Sequence, residues 1–188
     1  MKKVLLAGVV GGIILFIWGA LAWTVLPLHS NSIFTMANED SVVAVMKSAM
    51  NNHAVYMFPG RPLVMSDKAA EDAWTKKFAQ GPIGMVIYNP AGSSPMMPLE
   101  MALGLVDAIL TCMLAAWLLS RSTAARSGYF ARVAYCGMLG LFISLAVHVL
   151  NWNWMGYPLD YTTGLIADTM VGWVLAGAGI AIVVKAKT

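Results

Sequence analysis

Residues 4–26 read VLLAGVVGGIILFIWGALAWTVL, an apolar run that contains no charged side chain. About 20 consecutive apolar residues form a helix that is long enough to cross about 30 Å of hydrocarbon, at 1.5 Å per residue. Three further runs have a similar length and character, at residues 99–119, 133–150 and 161–184. The sequence therefore predicts four transmembrane helices.

The composition indicates the same class of protein. Of the 188 residues, 59% are hydrophobic and only 11% are charged, which is far more apolar than a soluble domain of this length. Lys2 and Lys3 before the first run also suit a signal peptide, but the run is longer than the apolar part of such peptides. We therefore expect an uncleaved membrane anchor.

Basic residues at the ends of the apolar runs predict the orientation in the membrane. They are Lys2, Lys3, Arg121, Arg126, Arg132, Lys185 and Lys187. Loops that carry Lys and Arg stay in the cytoplasm. We therefore expect both termini to be cytoplasmic in a bacterial inner membrane, with residues 28–98 in the periplasm.

The expected cytoplasmic segments are too short to hold a nucleotide-binding domain, and the chain has no phosphate-binding loop. We expect neither a nucleotide nor a nucleic acid among its partners. The expected partners are the lipid bilayer and another membrane protein or a second copy of the chain.

Residues 28–98 are predicted to form a small extracytoplasmic α+β insertion of order α-β-α-β between the first and second membrane helices. The helices are expected to begin at Asn38 and at Ser66 or Asp67, and the strands to cover residues 55–58 and 85–88. Two strands are too few for a self-sufficient sheet, so this domain is expected to lean on the bundle, on a second copy or on a partner.

Three of the membrane helices carry polar side chains at helical spacing, on faces that also hold small residues. The candidate site residues are Glu100, Asp107, Thr111, Ser144, His148, Asn151 and Asp168. Polar groups and small residues favour contact between helices in a membrane. The predicted fold is therefore an all-α four-helix transmembrane bundle with a polar, outward-facing interior.

Asp107 and Asp168 are each expected about 11 Å below the outer ends of their helices, and so in one layer. Two carboxylates at one depth share a proton, hold a cation between them or are reached by water. The alternative is that each carboxylate only accepts hydrogen bonds from neighbours such as Thr111, Ser144 or Asn151 and holds the bundle together.

Several functions are compatible with these residues. The leading hypothesis is a non-catalytic accessory subunit that binds a partner or ligand through its outer domain and polar cavity, because no catalytic motif is present. The first alternative is a proton- or cation-coupled carrier that uses Asp107 and Asp168. The second is a metalloprotein, for which Asp107, His148 and Asp168 are weak candidates as metal ligands, or a haem protein with His29 and His148 as axial ligands.

The two cysteines lie inside apolar runs, at positions 112 and 136, without the spacing of a metal or redox motif. We expect Cys112 and Cys136 to be buried thiols that act as small apolar side chains.

The predicted orientation can be tested by cysteine labelling. In intact cells, Ser93→Cys should react with a membrane-impermeant reagent, whereas Ser122→Cys should react only after the membrane is opened. The reason is the concentration of basic residues around Ser122. Labelling of both positions from the same side would overturn the topology.

Overall fold

Each of the four apolar runs forms a long helix. The computed structural model describes residues 1–62, 67–94 and 97–185. Four helical stretches are long and apolar enough to cross a membrane: Lys2–Thr24, Pro98–Arg121, Tyr129–Met155 and Leu159–Val183. The prediction of four long apolar helices and a small two-stranded sheet is confirmed.

The elements follow one another in the predicted order. They are α1 (Lys2–Thr24), α2 (Glu39–Ala49), β1 (Ala54–Phe58), α3 (Lys68–Gln80), β2 (Gly84–Tyr88), α4 (Pro98–Arg121), α5 (Tyr129–Ile143), α6 (Leu150–Met155) and α7 (Leu159–Val183). The chain divides into two units. We call Met1–Phe34 with Pro95–Thr188 the helical unit, and Thr35–Ser94 the αβ unit.

The third long helix extends beyond the predicted range 133–150 at both ends. A π-helical segment, Ser144–Val149, joins α5 to α6 without breaking the helix, and the helix ends where Gly156 adopts a left-handed conformation with φ of 68°. Glycine tolerates this conformation because it has no Cβ atom. The helix therefore continues through Asn151 and stops at a glycine rather than at the last apolar residue.

Helix α1 packs against both α4 and α7, which barely touch each other, and α5 packs on α7. Gly8 and Gly12 of α1 lie against Met113 and Ile109 of α4. A Cβ atom added to Gly12 would lie 2.5 Å from the Cα atom of Ile109, so only glycine permits this approach. Gly8 and Gly12 have the spacing of small residues that permits close contact between membrane helices.

The core of the helical unit consists mainly of small side chains together with Leu119, Trp173 and Ile180. Cys112 and Cys136 are free thiols and fully buried, as predicted. Small residues let helix backbones approach closely, which increases the van der Waals contact that holds apolar helices together. This unit is therefore stabilised by close backbone packing more than by large side chains.

At one end of the helical unit lie Lys2, Lys3, Arg121, Arg126 and Lys185, and we call this the basic end. Arg132 is buried there, and its Nε donates to the carbonyl of Ala181 over 3.2 Å while Nη1 donates to the carbonyl of Ser127 over 2.6 Å. The guanidinium therefore satisfies a carbonyl in the last turn of α7, where no intrahelical donor is left. The other end, where α1 finishes and α7 begins, we call the opposite end.

The αβ unit contains one two-stranded antiparallel sheet, whose strands β1 and β2 are connected through helix α3. Strands β1 and β2 pair from Ala54 with Tyr88 to Phe58 with Gly84. Because side chains alternate along a strand, Val55, Met57 and Ile87 lie on one face, and all three are exposed. None of the described residues of the αβ unit is buried.

The helix starts of the αβ unit agree only in part with the prediction. The Asp67 side chain caps α3 by accepting hydrogen bonds from the amides of Ala69 and Ala70, as predicted, and Ser66 lies outside the described residues. Asn38 precedes α2 but makes no side-chain cap, because its left-handed backbone (φ 55°, ψ 44°) differs from the extended conformation of capping residues. Helix α2 therefore begins directly after Asn38, as predicted, but without a side-chain capping hydrogen bond.

Candidate functional site

Asp168 of α7 is the centre of a polar cluster in the helical unit. Its carboxylate oxygen Oδ1 accepts a hydrogen bond of 2.7 Å from the indole Nε1 of Trp18 on α1, and the same Nε1 lies 3.0 Å from the Asp168 carbonyl. A buried indole N–H needs an acceptor, and a carboxylate among apolar helices needs a donor. The pair satisfies both needs and joins α1 to α7.

His29 lies beside the second oxygen of the same carboxylate. It is only 4% exposed, and its Nε2 lies 3.5 Å from Asp168 Oδ2. This distance is long for a hydrogen bond, and neither ring nitrogen of His29 has a hydrogen-bond partner among the described residues. Buried polar atoms are rarely left in this state, so His29 marks the cluster as more than packing.

Aromatic rings enclose His29. The ring of Trp23 stacks on the imidazole with centroids 4.0 Å apart and 19° between the planes, and Tyr161 approaches edge-on at 6.3 Å. Gly164 of α7 makes room for the turn that carries His29, since a Cβ atom there would lie 2.7 Å from the Leu28 carbonyl oxygen. The imidazole is therefore held in a fixed orientation at the opposite end of the helical unit.

Thr169, the residue after Asp168 on α7, makes a second polar contact between helices. His148, in the π-helical segment, lies with Nε2 at 2.8 Å from the Thr169 hydroxyl, and the tautomer of the imidazole decides which group donates. The buried Ser144 hydroxyl donates to the Gly140 carbonyl of its own helix over 2.8 Å. Since π-helical turns in α-helices are frequent at functional sites, His148 belongs to the same candidate region.

The chemistry available to this cluster is proton exchange and hydrogen bonding. Asp168 and His29 bring a carboxylate and an imidazole within 3.5 Å of each other. A cavity of about 340 Å³, lined by residues between Ala22 and Ile33, lies next to His29. Among the described residues, no group of three or more His, Cys, Asp or Glu side chains could hold a metal ion.

Asp107 does not join this cluster. It is exposed on α4, one residue away from the buried face that contains Ala108, Cys112 and Ala115, while α1 lies between α4 and α7. Asp107 is therefore not directed into the interior with Asp168, and the shared depth of the two carboxylates stays a prediction. Met113 and Ile109 of α4 pack against Gly8 and Gly12 of α1, and this packing leaves Asp107 exposed on another side of α4.

The remaining predicted residues are distributed over two helices. Glu100 is exposed and Thr111 is half-buried on α4, so α1 separates both from Asp168. Asn151 is half-buried on α6, about one turn beyond His148. A role for any of these three side chains in binding stays a prediction.

The haem and metal interpretations also stay predictions. His29 contacts Asp168 and His148 contacts Thr169, so the two imidazoles approach neighbouring residues of α7. An iron at the Nε2 atom of either histidine would have to replace one of these contacts.

The sequence prediction missed Trp18 and Thr169 and gave His29 only as a haem ligand. One signal for Trp18 was present, because Gly11, Leu15, Trp18 and Ala22 recur at helical spacing on α1. A tryptophan on such a face needs an acceptor for its indole N–H, and intramembrane carboxylates are the few strong acceptors available. Thr169 had no comparable signal.

Comparison with known proteins finds no matching family model, no matching curated protein and no matching solved structure.

We predict that Trp18 and Asp168 contribute jointly to the stability of the helical unit. Trp18→Phe and Asp168→Ala should each lower the free energy of unfolding by about 1–2 kcal/mol, because each leaves the other side chain without its partner. Reversible unfolding of the purified protein in mixed micelles measures both. The double variant should lose less than the sum of the two single variants.

Asp160→Asn is the matched control, since Asp160 is an exposed carboxylate in the first turn of the same helix. It should leave stability unchanged within about 0.5 kcal/mol. Strictly additive losses in the double variant would contradict the Trp18 to Asp168 hydrogen bond.

Proposed function

We propose that this chain is an integral inner-membrane protein that acts as a non-catalytic binding subunit and docks a partner protein on its αβ unit. The observation that carries the proposal is one face of the two-stranded sheet, on which Val55, Met57 and Ile87 are 57%, 66% and 72% exposed. Buried apolar surface contributes about 25 cal/mol per Å². An exposed apolar face therefore gains free energy when a partner covers it.

The composition of the rest of the αβ unit supports a protein partner. The helices next to the strands in the sequence carry exposed charged side chains, including Lys47, Lys76 and Asp72. An apolar patch with polar surroundings is typical of protein–protein interfaces. No described residue of the unit is buried, and a two-stranded sheet has little stability by itself. A partner that covers this face would therefore also stabilise the αβ unit.

A face of α4 supports contact with another membrane helix. Asp107 is exposed between Leu103 and Leu110, which lie one helical turn before and after it and are each more than half exposed. A carboxylate that faces acyl chains costs several kcal/mol. A polar group on a neighbouring membrane protein or second copy would remove this cost.

The orientation of the proposed subunit follows from its charges. Lys2, Lys3, Arg121, Arg126 and Lys185 all belong to the basic end of the helical unit, which by the positive-inside rule faces the cytoplasm. The αβ unit then lies in the periplasm, where it meets a periplasmic or membrane-bound partner. The role is proposed as non-catalytic because the sequence contains no catalytic motif.

The docking surface can be tested by photocrosslinking in native membranes. A photoreactive residue at position 87 should crosslink to one protein, either a partner or a second copy, whereas the same residue at the exposed position Thr75 on α3 should not. Ile87→Lys should reduce recovery of that protein at least about tenfold, because it removes an apolar contact of about 1.5–3 kcal/mol.

Thr75→Lys is the matched control, since it adds the same charge at an exposed helix position of the same unit. A photoreactive residue at Leu110 tests the α4 face in the same membranes and should also reach a protein. Crosslinks from positions 87 and 110 to lipid or water alone would contradict the binding role.

The cluster around Asp168 favours a second candidate function, proton-coupled transport. Here His29 and Asp168 carry the proton, because their side chains lie 3.5 Å apart at a site where His29 is 4% exposed. The sequence predicts a carrier that uses both Asp107 and Asp168, but α1 lies between the helices that carry these two residues. The proton site is therefore proposed for His29 and Asp168 alone.

This candidate can be tested with protein in liposomes that contain a pH-sensitive dye. A proton flux under an imposed pH gradient should be abolished in Asp168→Asn, which removes the titratable carboxylate. It should persist in the control Asp107→Asn, because Asp107 lies outside the cluster. Equal flux in the Asp168→Asn variant and the unsubstituted protein would exclude this mechanism.

A further inference from the structure

A large groove lies at the basic end of the helical unit, between the start of α1 and the end of α4. Its volume is about 1000 Å³. Its apolar wall consists of Val4, Leu5, Met113, Leu114, Trp117 and Val184. Leu5, Leu114 and Trp117 remain 48%, 57% and 46% exposed, so the groove opens sideways along the helices and is not an internal cavity.

The rim of this groove is basic. It contains Lys2, Lys3, Arg121 and Lys185 together with the hydroxyl of Ser120. The guanidinium of Arg121 lies 5.9 Å from the centre of the Trp117 ring, which keeps its charge at the edge of the apolar wall. The groove therefore places several positive charges at one end of a long apolar surface.

A second, smaller cavity of about 330 Å³ continues from this rim. It shares Ser120, Arg121, Val184 and Lys185 with the groove and adds Ser122, Ala125 and Arg126. The smaller cavity is therefore polar, lies next to the apolar groove and adds one further cation, Arg126. A ligand that fills both must have an apolar part and an anionic, hydrogen-bonding head.

Among the residues that the structure describes, no carboxylate forms an ion pair with these cations. The ion pairs found among residues 1–62, 67–94 and 97–185 are His29 with Asp168 and Lys68 with Asp72. The acidic residue nearest in sequence to both Arg121 and Arg126 is Asp107, which lies 14 residues before Arg121. The positive charge at the basic end is therefore available to an anion from outside the chain.

We propose that this groove is a binding site for an anionic phospholipid. The phosphate and headgroup lie against Lys2, Lys3, Arg121 and Lys185, and one acyl chain follows the apolar wall between α1 and α4. A free phosphate would need the cations but not the apolar wall, and a neutral lipid would need the wall but not the cations. Basic pockets between membrane helices recognise anionic lipid headgroups on the cytoplasmic side.

This inference depends on the membrane location of the helical unit but not on a partner or on proton transport. It also agrees with the proposed orientation, since the cytoplasmic leaflet is the one that carries a negative surface potential. A lipid in this groove would cover exposed apolar area of α1 and α4 and stabilise the basic end.

Lipid retention by the purified full-length chain, measured by native mass spectrometry after exchange into detergent, tests the proposal. Phosphatidylglycerol should be retained at a defined stoichiometry when phosphatidylcholine of the same acyl chains is lost. The double variant Arg121→Gln with Lys185→Gln should bind phosphatidylglycerol roughly 30-fold more weakly, since each basic residue near an anionic lipid contributes about fivefold.

Lys47→Gln with Lys76→Gln is the matched control, because it removes two exposed charges from the αβ unit and should leave retention unchanged. Arg121→Lys, which keeps the charge, should retain most of the binding. Comparing the two lipids on the unsubstituted chain needs no variant to fold. Equal retention of both lipids would overturn the proposal, and so would glycerol phosphate binding as tightly as the whole lipid, which would indicate an anion site only.

Discussion

The close approach of α1 to its two neighbours is the constraint on which the helical unit depends. Gly8 and Gly12 bring α1 against α4, and Gly172 of α7 receives the ring of Trp18 from α1. Apolar helices in lipid gain little from hiding apolar surface, so their association depends on close van der Waals contact and on hydrogen bonds between helices. Because α1 uses glycine for this contact, it becomes the central helix.

The central position of α1 decides what happens to the two carboxylates. Asp168 faces α1 and receives the indole of Trp18 and the imidazole of His29, whereas Asp107 lies on the far side of α4. One carboxylate therefore has its partners inside the chain. The other would find them in a second protein, which connects the packing of the glycines to the proposed binding role.

Each of the two units has a surface that no part of the unit covers. The helical unit has a packed core but carries unneutralised cations around an apolar groove at its basic end. The αβ unit has one helix with a side-chain cap, α3, and a two-stranded sheet, yet none of its described residues is buried. The two surfaces differ in chemistry, since one suits an anionic amphiphile and the other an apolar protein surface. They therefore predict different partners.

Local patterns in the sequence determined the elements. Long apolar runs predicted the four apolar helices, short stretches of strand-favouring residues predicted both strands, and Asp67 predicted a helix cap, because hydrophobic length, strand composition and capping each depend on a few neighbouring residues. Only the tertiary structure decided which polar residues meet. Trp18 reaches Asp168 across 150 positions, and Asp107 turns outward, because backbone contact at glycines sets the order of the helices and no local pattern records that order.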